Sequence, residues 1–311
     1  MPTPHTTAEQ LPGDWDHREA VVNGVRLHYV EAGHGPLVVL LHGFPEFWYC
    51  WRFQIPALVG AGFRVIAPDL RGYNLSDKPP GVASYRLPLL SQDVAELIRH
   101  AGVERAAVAG HDWGGGVAWY LAMTRPECVE KLVILNAPHP ALYERETHKL
   151  PQLLASWYVF FFQLPWLPEL VCRWHRFALL RRALSEGPVR RDAVTRRDID
   201  LYVRAIARPG ALTAALNWYR AVFRSRFRGG PLQASVLNMP TLVLWGERDR
   251  YLLPALLDGL EQWVKDLRIE RFPKASHWVH LDETERVNRA MIDFLRAGDQ
   301  STGTSDGAMG G

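Results

Sequence analysis

The sequence predicts an α/β protein: a mostly parallel sheet, helices on both of its faces, and an inserted helical cap. Three observations lead there. Six short apolar runs rich in β-branched residues read as buried strands. Helix-like segments alternate with them, and strand–helix–strand units of this spacing give parallel neighbours whose strands are covered on both sides. The alternation stops once, between about residues 138 and 230, and then resumes.

The strands, in order, are LVVLLHG (37–43), RVIAPDLRG (64–72), AAVAGHD (106–112), KLVILNAP (131–138), TLVLWGERD (241–249) and LRIERF (267–272). Between them SQDVAELIRHAG (91–102), with Ser91 as its expected N-cap, and WGGGVAWYLAMTRPE (113–127) read as helices, and another follows Asp282. The interrupting segment 138–230 is aromatic and holds 16 Lys and Arg against 7 Asp and Glu. The chain therefore divides into core (1–137), cap (138–230), core again (231–297) and a Gly/Ser/Thr-rich tail (298–311) expected to be disordered. A basic cap can be a solvated face or can steer an anionic substrate or an acidic surface, and the solvated face is the simpler expectation.

Bulk composition narrows the classes. With 48% hydrophobic and 22% charged residues and a formal charge of +3 over 311 residues, the chain is an ordinary globular protein without a nucleic-acid signature. Its three cysteines, Cys50, Cys128 and Cys172, are too few and too widely spaced for a disulfide framework or a zinc site. They fit a reducing compartment, and the polar N-terminus has no signal-peptide core, so a cytoplasmic location is expected. The run 153–172 is long enough to span a membrane, but Gln163, Pro165, Pro168 and Glu169 interrupt it. A monomer or a homodimer is compatible with these features.

Reactive groups cluster where parallel strands end, the place ligands bind in open α/β sheets. Asp112 ends the third run, Asp249 the fifth, and His277 follows the sixth. Taken singly, each is more often a cap, a turn residue or a packed histidine. Together they stand in the order nucleophile, acid, histidine, which defines the α/β-hydrolase fold, with Asp112 where serine usually sits. Gly110, Gly114 and Gly115 give that turn room, and Gly43 lets the first loop bend back. Backbone N–H groups of Phe44 and Trp113 are then the expected oxyanion donors. A carboxylate needs no base to attack, and it suits displacement at saturated carbon, where it forms an alkyl ester of the enzyme. His277, oriented by Asp249, would then activate water to hydrolyse that ester. The leaving group is an epoxide oxygen or a halide.

At these residues a resemblance is specific. HGFPEFWYCWR (42–52), GHDWGG (110–115), WGERD (245–249) and SHWVH (276–280) resemble the epoxide hydrolases of the α/β-hydrolase superfamily over about residues 18–296. The resemblance implies two cap tyrosines that activate the ring oxygen. One matches Tyr158, seven residues before Pro165, and the other Tyr219 in ALNWYRA. It also makes Glu46 and His111 candidates for positioning the hydrolytic water, with loop scaffolding as their plain alternative. Implied too are an apolar epoxide and water as the only reactants, with no cofactor and no metal. Trp48, Trp51, Phe160, Phe161, Phe162 and Trp218 are expected along an apolar tunnel, with core packing as an equal alternative, so none is assigned to specificity. Haloalkane dehalogenases share GHDWGG, but Phe44 offers no side-chain N–H to a halide, so they are the second reading. A non-catalytic binding protein of this fold is the third.

Overall fold

The structure, a computed structural model, describes residue 13 and residues 15–225 and 234–297. The 298–311 tail and the first twelve residues lie outside the described residues. Eight strands form one sheet: β1 (Asp16–Val22), β2 (Val25–Ala32), β3 (Leu37–Leu41), β4 (Arg64–Pro68), β5 (Ala106–His111), β6 (Val129–Leu135), β7 (Thr241–Gly246) and β8 (Leu267–Phe272). Their order is β1-β2-β4-β3-β5-β6-β7-β8. β2 pairs antiparallel with both β1 and β4, and all later pairings are parallel.

The six expected strands are β3 to β8. The β1–β2 hairpin was not anticipated, although its signal is present. Asn23-Gly24 joins the two strands with φ of 47° and 73°, the left-handed pair that a tight hairpin turn requires.

Helices α1 (Gln54–Gly60), α2 (Leu87–His100) and α3 (Trp113–Thr124) alternate with the strands. Then come α4 (Pro140–Thr147), α5 (Leu150–Ala155), α6 (Trp157–Phe161), α7 (Leu167–Glu186), α8 (Arg196–Ala207) and α9 (Ala211–Ser225), all between β6 and β7. The chain closes with α10 (Val279–Asp282) and α11 (Thr284–Arg296). Ser91 is not a cap: α2 starts a turn earlier, with Pro88 in its first turn, and the Ser91 hydroxyl donates back to Pro88 O at 3.1 Å. Proline presets the helical φ and needs no N–H there, so it starts the helix better than the serine does.

The sheet is buried from both sides. Along β3, Val39 and Leu41 join the core beneath α2 and α3, while Val38 and Leu40 join the core beneath α1 and α11. Alternation along one strand thus feeds two cores. The three cysteines are free and buried. Among the described residues no helix is long and apolar enough to cross a membrane.

Candidate active site

The chain turns from β5 into α3 at Asp112, whose φ is 50° and ψ −118°. A non-glycine residue held there is strained and needs support from its surroundings. The support is close packing. A Cβ on Gly114 would run into the carbonyl of Leu41, and one on Gly43 would stand 2.5 Å from Asp112 Cβ. Helix and first loop therefore approach the elbow only because both positions are glycine. The loop beyond Gly43 contains a cis Phe44–Pro45 peptide. Phe44 N–H donates to Asp112 Oδ1 at 2.9 Å, and Trp113 supplies the first N–H of α3, one of the donors a helix start leaves unpaired.

His277 stands between two carboxylates. Its Nδ1 meets Asp249 Oδ2 at 2.7 Å, and its Nε2 lies 3.6 Å from Asp112 Oδ2. Asp249 is fixed from three sides: Tyr251 N–H and Leu252 N–H donate to Oδ1 at 2.8 and 3.0 Å, and Asn136 Nδ2 donates to Oδ2 at 2.8 Å. Asn136 was missed in the sequence. It follows β6 with φ 40°, and its Oδ1 accepts from Gly246 N–H at 2.8 Å, which ties the ends of β6 and β7 together. The available signal was position, since it directly follows one of the parallel strands.

Charge follows from this geometry. Burial opposes ionisation of Asp112, but the facing His277, the His111 side chain and Phe44 N–H outweigh it and hold the carboxyl below its usual range. Burial also opposes the imidazolium of His277, yet Asp249 and Asp112 raise it to about 10. The resting pair is therefore Asp112 carboxylate beside a cationic His277.

Tyr158 in α6 and Tyr219 in α9 face Asp112 across a cavity of about 660 Å³, which all three line. The two rings are 5.9 Å apart at 81°. Burial first, and then neighbouring phenols and Asp112, push both hydroxyls well above the usual phenol range. Both stay protonated at neutral pH, so each has an O–H to offer. Buried Arg220, next to Tyr219, fastens the two together. It donates to Phe162 O and Leu164 O, each at 2.9 Å, and pairs with Glu169 at 2.7 Å. Phe162 N–H in turn bonds Tyr158 O at 2.9 Å.

Glu46 and His111 are both buried, with Glu46 Oε2 against His111 Nδ1 at 2.9 Å. His111 Nε2 meets the His277 carbonyl at 2.9 Å. Both ring nitrogens of His111 thus face protein partners, a geometry suited to holding the His277 main chain. With His280 these two form a trio whose ligand-type atoms lie within 4.8 Å of one another. The engaged nitrogens of His111 argue against a metal ion there. Of the six expected tunnel aromatics only Phe160 is among the described residues lining the cavity. Trp48 and Trp51 pack into the core beneath α1 and α11, Phe161 and Phe162 pack on the core of the other face, and Trp218 Nε1 bonds Arg71 O at 3.1 Å. Aromatic richness does not separate core from cavity wall.

A profile described as alpha/beta hydrolase fold matches residues 36–284, and the chain belongs to that family. Its relatives place it further, among the epoxide hydrolases of the family. It is 38% identical over 282 residues to Epoxide hydrolase 3 of Xenopus tropicalis, covering 88% of this chain and 76% of that one. An epoxide hydrolase from Bacillus megaterium solved with an inhibitor matches with TM-score 0.83 and 35% identity, over 89% of this chain and 99% of that chain. The AB hydrolase superfamily protein YfhM of Bacillus subtilis is 45% identical over 279 residues, 88% of this chain and 96% of that protein.

Proposed function

We propose that this enzyme converts an apolar epoxide to a vicinal diol through a covalent ester on Asp112. The observation that carries the proposal is the meeting of an ionised Asp112 with two protonated phenols, Tyr158 and Tyr219, across one largely apolar cavity. Asp112 attacks a ring carbon while the phenols hydrogen-bond the ring oxygen and protonate it as the C–O bond breaks. This forms an alkyl ester. The ester no longer carries the carboxylate charge that helped to keep His277 protonated, so the imidazole releases its proton more readily, and that proton, relayed through water, restores the phenol that protonated the ring oxygen. Neutral His277, oriented by Asp249 and Asn136, then takes a proton from water as the water attacks the ester carbonyl. Phe44 N–H, already aimed at Asp112 Oδ1, and Trp113 N–H stabilise the oxyanion, donors worth ~10²–10³ each in rate. Collapse breaks the bond to the alkyl oxygen, which takes the new carboxyl proton, so Asp112 returns as its carboxylate, His277 keeps the proton from water, and the diol leaves. Glu46 and His111 steady the water side of this arrangement.

The phenols separate this reading from halide displacement, which would use the same Asp112 and His277 but needs N–H donors for the leaving ion. The deciding experiment is intact-protein mass spectrometry of His277→Gln after mixing with epoxide. The first step survives and the second fails, so the protein gains the mass of one substrate on Asp112. Unmodified mass in single turnover with several epoxides would count against the mechanism.

A further inference from the structure

The cap leaves an apolar strip uncovered. Among the described residues fifteen large hydrophobic side chains are exposed, and eleven of them fall between Leu150 and Leu179. Ordinary surfaces scatter such residues singly. Here they gather in two groups: Leu150, Leu154 and Trp157 along α5 and α6, then Trp166 just before α7, Leu170 in its first turns and Trp174 at the kink that breaks it. The three tryptophans are 60%, 71% and 65% exposed. Backbone that L-residues rarely adopt brackets the second group. Trp166 has φ 49°, and His175, Arg176 and Phe177 have φ 45°, 55° and 64°. Holding such turns costs energy, and here they hold tryptophans in solvent.

The charge beside the strip has one sign. From Leu150 to Ser185 the only acid is Glu169, and buried Arg220 already holds it. Arg181 and Arg182 reach Asp200 and Glu186. Arg173 and Arg176 are exposed and form no ion pair with another described residue.

We propose that this strip docks the cap onto the surface of an anionic lipid bilayer, with the tryptophans at headgroup depth and the arginines against acidic headgroups. A second copy of the chain is the other cover for an apolar strip. A two-fold contact sets a surface against its own image, which here brings arginines against arginines with no free acid to answer them. A bilayer with acidic headgroups supplies the missing sign. The strip also reaches the active site, because Phe160 is both exposed on the cap and part of the cavity wall. An apolar epoxide dissolved in the bilayer would pass along Phe160 toward Asp112 without crossing bulk water. Only this last step rests on the proposed function.

The test uses the full chain and vesicles of phosphatidylcholine, alone or mixed with phosphatidylglycerol, read by co-sedimentation and tryptophan emission. The expected result is binding to the mixed vesicles with blue-shifted emission, weaker binding to phosphatidylcholine alone, and loss of the difference at high salt. Trp166→Glu with Trp174→Glu abolishes binding. Arg173→Gln with Arg176→Gln lowers the preference for anionic vesicles roughly tenfold or more. Both variants keep the wild-type thermal midpoint and the turnover of a water-soluble epoxide. Failure of the wild type to bind mixed vesicles overturns the proposal, and a dimer broken by the tryptophan variant would then make a second copy the cover. Vesicle binding needs no substrate, so this failure and failure of the epoxide reading are separate results.

Discussion

The two halves of the site are built differently. The core half, Asp112, Asp249 and His277, hangs from the ends of parallel strands β5, β7 and β8, and each side chain is held by short hydrogen bonds to backbone or to a partner. The cap half, Tyr158 and Tyr219, comes from helices, and its hydroxyls face an open cavity. In the proposed reaction the core half carries the charges that change, so it must be fixed in advance. The cap half has only to present two neutral donors to an oxygen that arrives with the substrate. In the proposed mechanism the core thus governs formation and cleavage of the ester, and the cap governs which leaving group is served.

The comparison can be broken most severely at the nucleophile. Asp112→Ala removes both half-reactions, and turnover falls at least ~10⁴-fold, with no substrate adduct in the mass spectrum. Tyr158→Phe together with Tyr219→Phe damages only the first step. We expect a loss of ~10²–10⁴ in the rate of adduct formation, measured by rapid quench in the His277→Gln background. Retention of the parent rate would sink the role given to the cap. Asn136→Ala tests the support behind the core. Losing a hydrogen bond to a charged group costs about 1.5–3 kcal/mol, and we expect ester hydrolysis to slow ~10–100-fold while adduct formation holds.

The smallest effect is on stability. His277 is raised from 6.5 to about 10 on folding, through Asp249 and Asp112 acting against burial. Folding therefore favours its cation. That contribution is complete below about pH 6.5 and is lost as pH rises to about 10. The difference in thermal midpoint between wild type and His277→Gln should shrink between pH 7 and 10, and a gap that widens would contradict the assigned charge state.

The same contrast explains what the sequence revealed. Asp112, Asp249 and His277 could be read because each follows an apolar run, and strand ends converge in a parallel sheet. Asn136 sits in the same kind of place, but a lone Asn after a strand reads as a turn residue, and only its bonds to Asp249 and Gly246 give it a role. The β1–β2 hairpin was missed despite Asn23-Gly24, because the parallel pattern starts only at β3. Cap helices offer no convergence rule, so Tyr158 and Tyr219 are legible only through family resemblance, and of the aromatics that tunnel or core could equally claim, Phe161, Phe162 and Trp218 of the cap and Trp48 and Trp51 of the first loop take the core. Helical spacing says which side chains share a face, not whether that face meets core or cavity.

The Arg220 clamp turns the two phenols into a gauge. Its bonds to Phe162, Leu164 and Glu169 hold the segment that carries Tyr158 to the helix that carries Tyr219. A bulky substrate cannot spread the two hydroxyls without opening a buried charged junction. Under the proposed mechanism the grip on the oxygen is therefore the same for every substrate that fits. Preference for one ring carbon, or for one mirror image, is then set by where the rest of the molecule finds room in the cavity.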